Sequence, residues 1–431
     1  MPEAVASNWL STNFGSLCLR IVNGGTPETD VPSYWDGDTP WITGADFTAR
    51  GVGEFRRYVS ERGIRASATS VVKQGNLLVV TRTGVGKLAI APCDIAISQD
   101  ITGVYVDPQK ADTEFVYYLL SRELEELKKL NQGTSINGIV RGDLEKHVVS
   151  FPRDPSVQKK LVAIFRSIDS AIEKTEALIA KHQQIKAGLM HDLFTRGVLP
   201  NGQLRPPRSE APELYQGTAV GWIPAEWRVS KLDDVCKSIV DCPHSTPNFQ
   251  PGGVLVARTM HIKNSVFLEH EASRVSEREY QERISRAEPL PGDVVFTREA
   301  PVGEAFVIPI GMRICLGQRV MLIKPNAESL DSDYLVAQIY AGALSTRIAE
   351  LTAGTTNPHL NVADVRALLI ALPSPQEQAE MKCRINAMNA RLRSEETILL
   401  KLQKQKLGLM QDLLTGRVPV PAAAEPAGAA A

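Results

Sequence analysis

A chain of 431 residues is longer than one ordinary domain and long enough for two or three domains with buried cores. Its composition, 43% apolar and 23% charged, is that of a folded globular protein, and a formal net charge of −1 excludes bulk attraction for a polyanion while leaving room for a local basic patch. No apolar run is long enough to span a bilayer, and the first twenty residues lack a charged start followed by an apolar stretch, so a cytoplasmic protein without a membrane partner is expected.

In chain order, residues 1–153 read as a first globular part. Its short apolar runs, such as NLLVV and AIAIS, alternate with turn signals and predict strands; FVYYLLSRELEELKKL (Phe115–Leu130) predicts a helix. Residues 154–198 predict one long helix. Leu161, Ile164, Ile168, Ala171, Leu178, Ile185 and Leu189 step by threes and fours, a seam of period 3.5 broken by Thr175 and His182. Residues 199–220, rich in proline and polar side chains, read as a linker. Residues 221–373 form a second globular part with the strand-like runs DVVF, AFVIPI and RVMLIKP and the helical DYLVAQIYAGALSTRIAEL. Residues 374–417 give a second long helix, with Met381, Ile385, Met388, Leu392, Ile398, Leu402 and Leu409 on its seam and Glu395 where Thr175 stands in the first. Residues 418–431 are low-complexity and are expected to be disordered.

The two halves are copies of one unit. GLMHDLFTRGV (Gly188–Val198) recurs as GLMQDLLTGRV (Gly408–Val418), and Gln158 and Pro155 recur at the same spacing as Gln378 and Pro375. Upstream, VSER recurs at Val59–Arg62 and Val275–Arg278, NLLVVTR (Asn76–Arg82) matches GDVVFTR (Gly292–Arg298), and Trp9 matches Trp227. The fold class expected is therefore α+β: two repeated domains, each an irregular β-sheet with helices, each followed by a long helix. Two such stripes of the same period favour pairing of the helices with each other as an antiparallel coiled coil, with Thr175, His182 and Glu395 fixing the register.

Motifs for catalysis are missing. TRTGVGKLA (Thr81–Ala89) resembles a phosphate loop, but Leu88 follows Lys87 where a hydroxyl is needed, and the second copy has Glu304 in place of Lys87. Glu126-Leu127-Lys128 has a nuclease-like spacing but reads as the solvated face of a helix, and Asn357-Pro358-His359 is not the motif of an amino-methyltransferase. Six cysteines do not form a disulfide framework in a chain this long; Cys18, Cys93, Cys315 and Cys383 sit among apolar residues, and Cys242-Pro243-His244 with Cys236 lacks the second pair a zinc site requires. No metal and no cofactor is expected on this chain.

What recurs is loop chemistry suited to contact. Thr26-Pro27 and Thr246-Pro247 follow polar turns, Thr81-Arg82 and Thr297-Arg298 end apolar strands, and Thr134-Ser135 and Thr355-Thr356-Asn357 follow a glycine before the next strand. Hydroxyls, backbone N–H groups and guanidinium groups are the usual donors to phosphates and base edges. Arg62 and Arg278 add charge beside Glu61 and Glu277.

The chain resembles the specificity (S) subunit of type I restriction–modification systems over nearly its whole length. The marks are the two helix ends GLMHDLFTRGV and GLMQDLLTGRV, VGWIPAEWRVSKLDDV (Val220–Val235) and GGTPETDVPSYWDGDTPWITGADF (Gly24–Phe47). The resemblance implies that each globular part is a target recognition domain reading one half of a split sequence in double-stranded DNA, and that the helices space the two. It implies two docked modification (methyltransferase) subunits, joined by restriction subunits where the cell has them. S-adenosylmethionine, ATP and Mg²⁺ are then expected only in those partners, and this chain catalyses nothing. DNA-contacting candidates in the first half are Gly25, Thr26, Thr43, Asp46, Arg62, Thr81, Arg82, Gln99, Thr134 and Ser135. In the second half they are Arg258, Thr259, His261, Arg278, Thr297, Arg298, Gln318, Thr355, Thr356 and Asn357. The alternative is a helical scaffold that gathers partner proteins without binding DNA.

Overall fold

The computed structural model describes residues 8–48, 51–82, 85–131, 138–139, 141–354 and 358–420. The chain divides into two compact units: Met1–Glu176 with Thr397–Ala431, and Ala177–Glu396. The sequence-based division at 153 and 373, into globular parts and helices, is crossed by this one, because each long helix contributes its two ends to different units.

In the first unit the two main sheets and one further pair are built from β1 (Trp9–Asn13), β2 (Cys18–Asn23), β3 (Thr39–Ile42), β4 (Tyr58–Val59), β5 (Ser70–Val72), β6 (Leu77–Val80), β7 (Leu88–Ile90), β8 (Ile95–Ile97), β9 (Ile101–Val106) and β10 (Val148–Pro152). The helices are α1 (Glu61–Arg65), α2 (Thr113–Asn131), α3 (Arg141–Lys146) and the start of α4 (Pro155–Arg196). The predicted irregular sheet resolves into two four-stranded sheets, ordered β2-β9-β6-β7 and β4-β3-β8-β5, while β1 pairs with β10. All contacts in the first sheet are antiparallel; in the second, β3 and β8 run parallel.

The run Leu77–Val80 explains the layering. Successive strand residues point to opposite faces, and all four are buried. Leu77 and Val79 pack with Phe115, Leu119 and Leu161 of the helices, whereas Leu78 and Val80 pack with Ile42, Ile95 and Ile97 of the second sheet. A strand covered on both faces reads as continuous apolar sequence, as this one does.

The second unit repeats the plan. Its two main sheets and one further pair are built from β11 (Arg228–Lys231), β12 (Cys236–Asp241), β13 (Phe249–Gln250), β14 (Val254–Ala257), β15 (Arg274–Val275), β16 (Val294–Thr297), β17 (Ala305–Val307), β18 (Ile314–Leu316), β19 (Val320–Pro325) and β20 (Leu369–Leu372). Its helices are α5 (Glu277–Arg283), α6 (Ser332–Tyr340), α7 (Gly342–Thr352), α8 (Val362–Ala367) and the start of α9 (Pro375–Leu413). The sheets are ordered β12-β19-β16-β17 and β13-β15-β14-β18, with β14 and β18 parallel, and β11 pairs with β20. Val294 and Phe296 face the helical core; Val295 faces the other sheet.

The repeated Gln158 and Gln378 are buried clips at the start of each long helix. Gln158 donates to Pro152 O at 2.9 Å and accepts from Asp112 N at 2.9 Å; Gln378 donates to Pro373 O at 3.0 Å and accepts from Asp331 N at 2.9 Å. The amide satisfies backbone groups that would otherwise be buried without partners.

The repeated GLMxDL phrases are packing elements. Met190, Leu193 and Phe194 lie in the core of the second unit with Tyr334, Met381 and Ile385. Met410, Leu413 and Leu414 lie in the core of the first with Phe165 and Leu161. In the first unit Lys406 also meets Asp169 at 2.6 Å. Within each unit, then, the last turns of one long helix lie against the first turns of the other, which is an antiparallel relation. The predicted seam is displaced in part: Phe165, Ile179 and Met190 are buried, while Ile185 and Ile398, assigned to the seam, stay exposed. His182 is buried, and among the described residues its Nδ1 has no hydrogen-bond partner.

The predicted linker is not a solvated tether. Arg205 is 3% exposed, and its guanidinium meets Glu377 Oε1 at 2.5 Å and Oε2 at 3.2 Å, and Glu226 at 2.7 Å. Glu377 also accepts from Trp227 Nε1 at 3.0 Å and Val198 N at 2.7 Å. One buried carboxylate thus joins the end of α4, the connector, the Trp227 segment and the first turn of α9. Val420, in the predicted tail, packs against the core of the first unit; residues 421–431 lie outside the described residues.

Removing one partner of a buried ion pair leaves the other charge uncompensated. Arg205→Ala should lower unfolding free energy by about 3–5 kcal/mol in urea titration. The double variant Arg205→Met/Glu377→Leu should not recover that loss, because it also leaves Trp227 Nε1 and Val198 N without their acceptor.

Candidate nucleic-acid interface

In both units the loops singled out by sequence gather at one end of the paired sheets. In the first unit, Gly25 N bonds Ile97 O at 3.0 Å at the end of β8, and Gly25 O accepts from Trp41 Nε1 at 3.1 Å. Thr26, exposed on the same turn, donates its hydroxyl hydrogen to Gln99 Oε1. Ser98 N bonds Ile42 O at 2.9 Å, which brings the turn after β3 alongside. Thr81 N, at the end of β6, bonds Asp100 O at 2.8 Å, and Ile139 N bonds Thr81 O at 2.8 Å. Lys87, from the rejected phosphate-loop pattern, donates to Gly44 O at 3.1 Å and Phe47 O at 3.2 Å and ties two of these loops together.

The second unit uses the same wiring. Gln318 donates to His244 O at 2.6 Å, Gly317 N bonds Ala257 O at 2.8 Å, Arg298 N bonds Arg319 O at 3.0 Å, and Leu360 N bonds Arg298 O at 2.8 Å. Glu304, at the place of Lys87, accepts from Asn264 N at 2.8 Å: the charge is reversed but the loop is tied to the same region.

A short 3-10 turn follows β3 and β14 in turn. Thr43 and Asp46 close the first turn as a capping box, Asp46 accepting from Thr43 N at 2.8 Å. Asp46 is buried. Burial works against its charge, but the Thr43 N–H and the Arg56 guanidinium outweigh it and hold the carboxyl below its usual range. In the second turn Arg258 and Thr259 are half-buried, and His261 is buried, its imidazole pushed below the ordinary range by burial.

The two Thr-Arg pairs match in sequence but are one residue out of step in backbone: Val80 and Thr297 pair with the equivalent Ile101 and Val320, and Thr81 N bonds Asp100 O as Arg298 N bonds Arg319 O, so Arg298 stands where Thr81 does. Thr81 and Thr297 are both buried, and Arg82 is exposed. Arg298 is 9% exposed and lies between two carboxylates, 3.1 Å from Asp241 and 3.2 Å from Glu299. By backbone pairing the first copy has Asn23 where Asp241 stands and Arg82 where Glu299 stands, so the two acidic residues around Arg298 have no acidic counterparts.

Arg62 and Arg278 do not join this set. They stand on α1 and α5, which begin where β4 and β15 end, beside the first residues of β3 and β14 and hence at the other end of those strands. Arg278 pairs with Glu282 at 3.2 Å, and Arg62 lies over the Tyr34 ring. Thr134, Ser135, Thr355, Thr356 and Asn357 lie outside the described residues, as do the side chains of Glu126 and Lys128. Residues missed by sequence reasoning but placed in the gathered loops are His244, Met260 and Arg319. The repeat alignment could have flagged Arg319, which takes the place of Asp100. Cys242 is buried, with its thiol raised above the ordinary range by burial.

A family model described as the type I restriction modification DNA specificity domain matches residues 7–182 and again residues 224–404. The chain belongs to that family. It is 20% identical over 415 residues to the type I restriction enzyme MjaIX specificity subunit of Methanocaldococcus jannaschii, covering 93% of this chain and 91% of that protein. It is 21% identical over 431 residues to the MjaVIII specificity subunit of the same organism, covering 96% and 94%. Among solved structures, a chain from a type I restriction–modification system studied for complex assembly and conformational transition superposes with a TM-score of 0.59 at 17% identity, covering 97% of this chain and 100% of that one. The S subunit from M. genitalium gives 0.57 at 13% identity, covering 96% and 98%. These last two likenesses establish the shared fold. For this specificity-family chain, no helix among the described residues is long and apolar enough to cross a membrane.

Two measurements separate surface from support within this family member. Arg82→Ala should change stability by less than about 0.5 kcal/mol, whereas Arg298→Ala, which leaves Asp241 and Glu299 facing each other, should cost about 3 kcal/mol in urea titration. Asp46, with its folded pKa depressed, adds stability above the unfolded carboxylate pKa and loses it as pH falls through the folded value. Asp46→Asn should therefore destabilise at pH 7, and the difference should shrink below about pH 4.

Proposed function

We propose that the chain is the sequence-reading subunit of a type I restriction–modification complex and that each unit reads one half of a two-part target in double-stranded DNA. The observation that carries this reading is the convergence, in both units, of the same loops at one sheet end through the same backbone bonds, in a chain that the specificity-domain model matches twice. Exposed Thr26, Gln99 and Arg82, with half-buried Thr43, Arg258, Thr259 and Gln318, offer the hydroxyl, amide and guanidinium donors that base edges and phosphates accept. Gly25, with its backbone, and Asp46, Thr81, His261, Thr297 and Arg298 hold those loops in shape. Thr134, Ser135, Thr355, Thr356 and Asn357 are assigned to DNA contact from their residue types and sequence setting alone.

The long helices pair along their length as an antiparallel coiled coil and act as a ruler for the gap between the halves. Two modification subunits dock on this chain and supply S-adenosylmethionine and the methyl transfer to adenine. Restriction subunits, where the cell makes them, bring ATP and Mg²⁺ for translocation and cleavage. The chain itself holds no cofactor, catalyses no step and works in the cytoplasm.

Inserting four residues into both α4 and α9 lengthens the spacer by about 6 Å, roughly two base-pair rises. Mapping methylated adenines in DNA from cells carrying the whole system should show both half-sequences unchanged and the gap widened. An unaltered gap refutes the ruler. Absence of duplex binding by the chain together with its modification subunits would instead favour a protein-gathering scaffold.

A further inference from the structure

We propose that Arg319 and Met260 are the base-contacting residues of the second unit, in the role that the buried Arg298 cannot take. This rests on the DNA-reading function above.

Arg319 sits between β18 and β19 with its side chain 58% exposed, at the sheet end where the loops gather. Its φ is 69°, the left-handed region that glycine adopts freely and a branched or long side chain adopts at a cost. A non-glycine residue held there against strain is a signature of a functional position. The backbone of Arg319 already has a structural task, since its carbonyl accepts from Arg298 N, but a glycine would perform that task without strain. Among the described residues the guanidinium's ion-pair partner is Glu299, at 3.3 Å, and that carboxylate is shared with Arg298.

Met260 is the middle residue of the 3-10 turn Thr259–His261 and is 55% exposed. The turn beneath it is fixed: His261 and Ile262 are buried, and His261 N bonds Arg258 O at 3.0 Å. Beside it the Arg258 guanidinium lies 5.1 Å over the ring of exposed Phe249. Gly317 permits that course of the chain, because a Cβ there would lie 2.8 Å from both Ala257 O and Arg258 Cγ. An unbranched apolar side chain, exposed on a fixed turn beside the Arg258 guanidinium, fits a groove: it can meet a thymine methyl or wedge at a base step while the cation meets acceptors. The first unit carries Ala45 at the matching place in its turn and Asp100 at the place of Arg319, so the two units present different side chains on one backbone plan.

The test uses the full chain expressed with its modification subunits and reads methylated adenines genome-wide, together with duplex affinity and thermal unfolding. Arg319→Gly should leave the melting temperature unchanged or raised, weaken binding to the full target about tenfold, and relax one position of the second half-sequence only. Met260→Ala should likewise relax one second-half position and leave the first half intact. If either variant methylates the unchanged sequence with unchanged affinity, the assignment fails for that residue. Uniform weakening on every duplex would mean a phosphate contact and also refute it. Loss of the modification subunits from the purified complex, with the DNA sequence unchanged, would make this surface a protein dock instead. If the unsubstituted complex methylates no two-part sequence, the parent reading fails, and this outcome is distinct from all of those above.

Discussion

The double burial of the first sheet in each unit constrains everything else. A strand such as Leu77–Val80 sends alternate residues into the helical core and into the second sheet, and no face of it is left for solvent. Chemistry that must meet a partner is therefore pushed to the strand ends. The central parallel pairs β3/β8 and β14/β18 then place the turns that follow β3 and β14 at the same end as the connections leaving β8 and β18. Gly25, Thr43, Gln99 and Arg82 converge for this reason, as do Arg258, Gln318, Arg319 and Arg298.

The long helices answer a second constraint. Each unit needs a helix end to complete its core, and it takes that end from the helix whose start lies in the other unit. This gives the GLMxDL repeat its physical meaning: the methionine and leucines are core residues. The buried carboxylate of Glu377 shows how firmly such an end is fastened in the second unit, since Arg205, Trp227 and the Val198 amide all converge on it.

Duplication preserved the backbone plan and let side chains drift. Lys87 and Glu304 fasten corresponding loops with opposite charges. Thr81 and Arg298 hold the same backbone position after corresponding strands, yet one is a buried hydroxyl and the other a guanidinium held between Asp241 and Glu299. A duplicated reader can change what it reads in this way without changing how it folds.

The sequence by itself determined the duplication, the strand-rich parts, both long helices and the family resemblance, because these rest on local pattern and on collinear repetition. It also marked most of the loops that gather at the sheet ends. It could not rank the residues within them. The seam was partly misplaced at Ile185 and Ile398, since period alone does not say which side of a stripe finds a partner. The connector looked like a tether, since the carboxylate that buries Arg205 lies far along the chain. Arg62 and Arg278 recur in the VSER repeat but stand at the other end of the strands. Whether an arginine is a reader or a post depends on residues distant in sequence, such as Asp241 and Glu299 around Arg298. Tertiary structure alone decides that, because it alone brings those charges within an ion pair's reach.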